Sequence, residues 1–69
     1  MKTVDFKISN NGKFEYYSVS HEHDEYIFSE NLHNLGVIYS IIDRFKKADD
    51  LKAYMLQMET KYKEVFEKL

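Results

Sequence analysis

The chain has 69 residues, no cysteine and a formal net charge of −2. So short a chain can form one domain at most, with a marginal hydrophobic core. The absence of cysteine excludes disulfides and thiolate zinc sites. A nearly balanced charge argues against a general nucleic-acid binder, which is usually basic. We therefore predict one compact domain over residues 1–69, packed by its six tyrosines and five phenylalanines and needing no cofactor.

The sequence suggests neither export nor a membrane span. The first residues alternate between polar and apolar types instead of forming the apolar segment of a signal peptide. The longest apolar stretch, residues 36–42, is much too short to cross a bilayer. We expect a cytoplasmic protein that does not associate with membranes.

The N-terminal part of the sequence is typical of a β-meander. Apolar and polar residues alternate over residues 3–9, aromatic and β-branched residues fill 13–20, and a shorter segment of the same kind spans 25–28. These segments predict two or three antiparallel strands. The side chains expected on the core face are Phe6, Ile8, Phe14, Tyr16, Tyr26 and Phe28.

The loop between the first two strands admits two registers. A two-residue Asn11-Gly12 turn places Ile8 opposite Glu15, whereas a three-residue loop, Asn10-Asn11-Gly12, places Ile8 opposite Phe14. The second register pairs apolar with apolar residues, and it puts Lys7 opposite Glu15. We therefore predict the three-residue loop, with Gly12 in the left-handed conformation.

Two helices are predicted after the strands, which makes the fold class α+β. The first would run over about residues 30–47, capped by Ser29 and apolar around most of its circumference. The second would run over about residues 50–68, capped by Asp49 or Asp50, with a narrow apolar stripe.

His21, His23 and Asp24 are the only cluster of potential metal ligands. Two histidines one residue apart could both reach an ion, but zinc sites normally have three or four firm ligands. A solvated turn explains the same residues without any metal. We therefore predict no metal site and keep these three residues as weak candidates.

Catalysis finds no support in the sequence. The chain lacks a nucleophile elbow with flanking glycines, and two glycines cannot build a phosphate-binding loop. A chain this short also has little room for a pocket of about 300 Å³ or more, the low end for small-molecule sites. We predict that the protein is not an enzyme.

The aromatic residues around Phe14 are only a weak indication of single-stranded nucleic-acid binding. Aromatic side chains on a sheet can stack on bases, and Lys7 and Lys13 would add positive charge. The run KFEYYSV nevertheless lacks the glycines of the RNA-recognition signature, and an aromatic core explains it as well. We do not expect nucleic acid to be the main partner.

The sequence contains more apolar residues than the predicted core face can hold. The surplus would lie on the back of the sheet and at the edge of the first helix, although scattered apolar surface residues are also normal. These positions predict a partner or dimer interface made by Tyr17, Val19, Ile27, Val37 and Ile41.

In size, composition and layout, the chain is similar to small accessory proteins of phages and mobile elements in AT-rich bacteria. The similarity implies a protein that inhibits or regulates a host protein, but it carries no motif and transfers no functional residue. We therefore expect a non-enzymatic protein-binding module, with a homodimer as one form. The alternative is a small nucleic-acid-binding or metal-responsive regulator.

Overall fold

The computed structural model describes residues 2–31, 39–58 and 60–69. They form four strands, β1 (Lys2–Asn10), β2 (Lys13–Glu22), β3 (Glu25–Asn31) and β4 (Tyr39–Phe45), followed by two helices, α1 (Ala48–Leu56) and α2 (Tyr62–Lys68). The strands make one antiparallel sheet in the order β1-β2-β3-β4. The α+β class is confirmed, but the predicted count of two or three strands is too low.

The first hairpin has a two-residue turn, so the predicted three-residue loop is wrong. Asn10 pairs with Lys13, and Ile8 lies opposite Glu15. Asn11 and Gly12 have φ values of 52° and 81°, as the type I′ turn requires at both central positions. This turn matches the right-handed twist of the strands, and that backbone preference outweighs the side-chain pairing on which the prediction relied.

The second hairpin also turns on two residues. His23 and Asp24 have φ values of 50° and 59°, and Glu22 pairs with Glu25 on either side of them. Aspartate tolerates this left-handed conformation better than most residues because its short polar side chain can bond locally. The predicted polar turn is therefore present, although His21 belongs to β2 and not to the turn.

The helix predicted over residues 30–47 is wrong wherever the structure describes that range. β3 continues through Asn31, so Ser29 is a strand residue and caps no helix, and residues 39–45 form β4. Residues 32–38 lie outside the described part of the chain. A short continuous apolar run fits a buried helix or a strand equally well, and the β-branched pair Ile41-Ile42 favours the strand.

The helix predicted over residues 50–68 is two shorter helices. α1 ends at Leu56 and α2 begins at Tyr62, with turn residues after α1. Lys47, not Asp49 or Asp50, occupies the N-cap position of α1, and it makes no side-chain capping bond. The two aspartates lie in the first turn, where their charge favours the positive end of the helix.

Both helices pack on one face of the sheet, which we call the core face. Leu51 and Met55 of α1 and Val65 of α2 join Val4, Tyr17, Val19 and Phe28 in one buried cluster. Aromatic ring contacts extend this buried cluster. Phe28 and Phe45 contact Tyr54, and Tyr26 contacts Phe66. We call the other face, which carries neither described helix, the open face.

Candidate functional site

The observed register reverses the predicted burial of β2. Because residues directly opposite in an antiparallel pair share a face, Val4 and Phe6 place Val19 and Tyr17 on the core face. Tyr17 is 7% exposed and Val19 is completely buried. The prediction that these two residues lie on the back of the sheet and form an interface is therefore wrong.

The other three predicted interface residues have different outcomes. Ile27 is half-buried and faces the open side, because it alternates with the buried Phe28. Ile41 is 51% exposed and lies opposite Ser29, also on the open face, although in a strand and not in a helix. Val37 lies outside the described residues. The structure thus brings Ile27 and Ile41 to one surface.

Two aromatic residues that the sequence predicted in the core lie instead on the open face. Phe14 is 54% exposed and Tyr16 is 40% exposed. Phe14 lies opposite Ser9, and Tyr16 lies opposite Lys7, so both point away from the helices. The strong Asn11-Gly12 turn signal could have placed them correctly, since a two-residue turn moves every side chain of β2 to the opposite face.

Apolar and polar side chains alternate across the open face. The Lys7 ammonium lies 4.5 Å from the centre of the Phe14 ring, a cation–π contact at one end of the sheet. Ser18 and Ser29 fill the middle of the face, and Ile41 follows in the next strand. With strands about 4.8 Å apart, Ser18 and Ile41 are about 10 Å apart. Ser18 and Ser29 are only 1% and 6% exposed, so the exposed apolar residues of this face lie on either side of a buried centre.

Three polar contacts on the open face tie neighbouring strands together. The Ser18 hydroxyl donates to Oδ1 of Asp5 at 2.5 Å, and the hydroxyls of Thr3 and Ser20 lie 3.1 Å apart. At the β3–β4 pair, Nη1 of Arg44 lies 3.4 Å from Oε2 of Glu25. The face therefore carries charges of both signs. Such a mixture complements the surface of another protein better than it complements a polyanion such as nucleic acid.

The core face contains one tyrosine with a perturbed ionisation. Burial raises the pKa of Tyr17 to about 12, and the hydrogen bond to Glu15 adds to this increase. The negative charges of Glu15 and Glu30 act in the same direction, because they oppose a phenolate nearby. Tyr17 also stacks between Phe6 and Phe28, at centroid distances of 5.9 and 5.4 Å. This residue is thus a neutral part of the core.

The weak metal candidates do not converge on a site. The His21 ring stacks on Tyr26 with centroids 4.3 Å apart, whereas His23 is exposed in the turn and lies 3.5 Å from the carboxylate of Glu22. Within residues 2–31, 39–58 and 60–69, no three His, Asp or Glu side chains are placed to hold a metal ion together.

Two clefts lined by described residues border β1. The larger, of about 380 Å³, lies between residues 6–9 of β1 and the segment from Thr60 to Val65. A shallower one, of about 290 Å³, lies beside Asp5, Lys7, Tyr16 and Asn31. The larger cleft exceeds 300 Å³, although the sequence suggested little room for a pocket of that size. The Oδ1 atom of Asn31 is buried and accepts no hydrogen bond from the described residues.

Neither described helix is long and apolar enough to cross a bilayer. No protein-family model, curated protein or solved structure matches the chain.

Proposed function

We propose that this chain is a small, non-enzymatic protein-binding module that contacts its partner through the open face of the sheet. One observation carries the proposal: Phe14 and Ile41 are both more than half exposed on the face that the described helices leave uncovered. Exposed apolar groups surrounded by polar residues commonly mark interaction surfaces. The partner is a second protein, and the module inhibits or regulates it by occupying its surface.

The chemistry of the open face supports a protein partner. Aromatic residues such as Phe14 and Tyr16 are enriched in the centres of protein interfaces. The surrounding groups, Lys7, Asp5 and the Arg44–Glu25 pair, present both signs of charge, as interface rims do. A host protein as the target is a prediction from the similarity to phage accessory proteins, and the cytoplasm as the location is a prediction from the sequence alone.

The second candidate function is binding of single-stranded nucleic acid, favoured by one observation. Phe14 and Tyr16 are exposed on the same strand face, and Lys7 lies against the Phe14 ring. Bases stack on such platforms, and lysines attract the phosphates. The carboxylates of Asp5 and Glu25 on the same face oppose this function. Fluorescence anisotropy with a labelled oligonucleotide separates the two: a strong, salt-dependent signal that Phe14→Ala removes would favour nucleic acid.

Affinity capture with three baits tests the protein-binding function. The baits are the wild-type chain, the double variant Phe14→Asp/Ile41→Asp, and the control Leu56→Asp. Leu56 is 57% exposed but belongs to α1, so the control adds a charge at a similar exposure away from the open face. Lysate from the source cells is treated with nuclease before capture.

We expect the wild type and the Leu56→Asp control to retain the same protein, and the double variant to lose it. Circular dichroism of all three baits confirms that the fold is retained. Equal recovery of that protein on all three baits would show that the open face is not the contact surface.

A further inference from the structure

We propose that two copies of this chain pair through the outer edge of β1, antiparallel and centred on Phe6, to form one continuous eight-stranded sheet. The proposal goes beyond the binding function above and does not depend on it, because the strands pair through backbone groups at the sheet edge, while open-face charges only select the register. It rests on three features of β1: an accessible edge, backbone groups directed outward, and a charge pattern that complements itself.

The edge of β1 is accessible along its second half. β1 is the first strand of the sheet order, so one of its sides has no neighbouring strand among the described elements. The 380 Å³ cleft is lined by four consecutive residues, 6–9, although consecutive residues of a strand point to opposite faces. The cleft must therefore run along the strand edge, and the Thr60–Val65 segment does not close it.

The hairpin turn determines which backbone groups of β1 point outward. In the two-residue turn the carbonyl of Asn10 accepts a hydrogen bond from the N–H of Lys13, so this pair is hydrogen-bonded. Hydrogen-bonded and non-hydrogen-bonded pairs alternate along an antiparallel ladder. The even-numbered residues of β1 thus bond to β2, whereas Asp5 and Lys7 direct their N–H and C=O groups to the open edge.

A register centred on Phe6 uses these outward groups fully. It places Asp5 opposite Lys7 of the second copy, and Thr3 opposite Ser9 of the second copy. Every residue in these pairs is odd-numbered, so each pair can exchange two backbone hydrogen bonds. The two copies are related by a two-fold axis perpendicular to the sheet, as in a closed symmetric dimer. This axis keeps the helices of both copies on the same side of the sheet.

The side chains select this register over its neighbours. On the open face, Asp5 meets Lys7 of the second copy twice, once on each side of the axis, and opposite charges across strands are stabilising. On the core face, Val4 meets Ile8 of the second copy. A shift of two residues, which moves the centre to Asp5 or Lys7, would instead place like charges opposite each other.

The other edge of the sheet lacks this complementarity. β4 contains the neighbouring charges Asp43 and Arg44, which point to opposite faces and so cannot meet in an antiparallel pair of two identical strands. Its pairing with β3 also shifts register between Phe28 and Ser29. Such bulges distort a strand and disfavour further pairing. We therefore assign self-association to β1.

Sedimentation equilibrium of charge variants tests the proposal. Lys7→Glu places two carboxylates opposite each other at each contact, and Asp5→Lys places two ammonium groups there. We expect each variant to weaken dimerisation about tenfold or more relative to the wild type, since both symmetric pairs become repulsive. Lys46→Glu makes the same charge change outside β1 and should leave the dimer unchanged.

Mixing the two single variants provides the decisive measurement. A heterodimer of Lys7→Glu with Asp5→Lys restores opposite charges at both contacts, and so does the double variant Asp5→Lys/Lys7→Glu with itself. We expect both to dimerise like the wild type. A wild-type chain that stays monomeric at about 1 mM overturns the proposal. So does a dimer that resists both single variants, or one that mixing fails to restore.

Discussion

The Tyr17 hydroxyl donates a hydrogen bond of 2.7 Å to Oε2 of Glu15, two residues earlier on the same face of β2. The Tyr17 ring lies in the core between Phe6 and Phe28, while Glu15 reaches it from the exposed end of the strand. This contact joins the buried aromatic cluster to the hairpin end of the sheet. It also makes the neutral phenol the form that the folded chain prefers.

Raising the pH from about 10 to 12 should therefore destabilise the folded chain. The pKa of Tyr17 is raised from 10.0 to about 12 in the folded state, so the stabilisation is fully present below pH 10 and disappears as the pH approaches 12. The loss is on the order of 2 kcal/mol. Urea unfolding at several pH values, compared with Tyr17→Phe, measures it. An identical alkaline loss in both proteins would contradict this explanation.

Two leucines of α1 should differ sharply in their contribution to stability. Leu51 is completely buried, whereas Leu56 is 57% exposed. Leu51→Ala should lower the free energy of unfolding by about 2–5 kcal/mol because it leaves a cavity, while surface substitutions usually change it by less than about 0.5 kcal/mol. Urea denaturation of both variants gives the comparison. Similar losses at the two positions would mean that α1 packs by another side.

Gly12 should be needed for its backbone conformation and not for space. Its φ is 81°, and an added Cβ would meet no atom within 4 Å. Gly12→Ala should therefore cost about 1 kcal/mol through backbone strain alone. A synthetic chain with D-alanine at position 12 is the matched control, because D-residues favour positive φ. Thermal unfolding should show a loss for L-alanine and none for D-alanine; equal losses would point to a steric cause.

Two serines on the same face of β2 should also differ. Ser18 is 1% exposed and donates to Asp5, whereas the bond between Ser20 and Thr3 is exposed to water. Ser18→Ala should cost about 1–2 kcal/mol, since the bond is to a carboxylate, and Ser20→Ala less than about 0.5 kcal/mol. A double-mutant cycle with Asp5→Ala isolates the Ser18 contribution. A coupling energy near zero would show that this bond adds no stability.

The β1–β2 hairpin shows how much of the fold local sequence signals can predict. Alternation along residues 3–9 and 13–20, together with the glycine turn, was enough to predict two strands and their antiparallel pairing. The predicted loop length is wrong because the twist preference of the type I′ turn outweighs the matching of cross-strand side chains. The difference of one residue in loop length places Tyr17 and Val19 in the core and Phe14 and Tyr16 on the open face.

Local sequence alone determined the α+β class, the strands of the N-terminal part and the helical character of much of residues 48–68, because alternation, turn residues and helical periodicity act over a few neighbours. Only tertiary structure decided that residues 39–45 form a fourth strand, since their place beside β3 depends on pairing between segments distant in sequence. It also decided which face of the sheet the helices cover, and hence which side chains stay exposed. The physical reason is that burial is a property of the whole packed chain, whereas propensity is a property of each short segment.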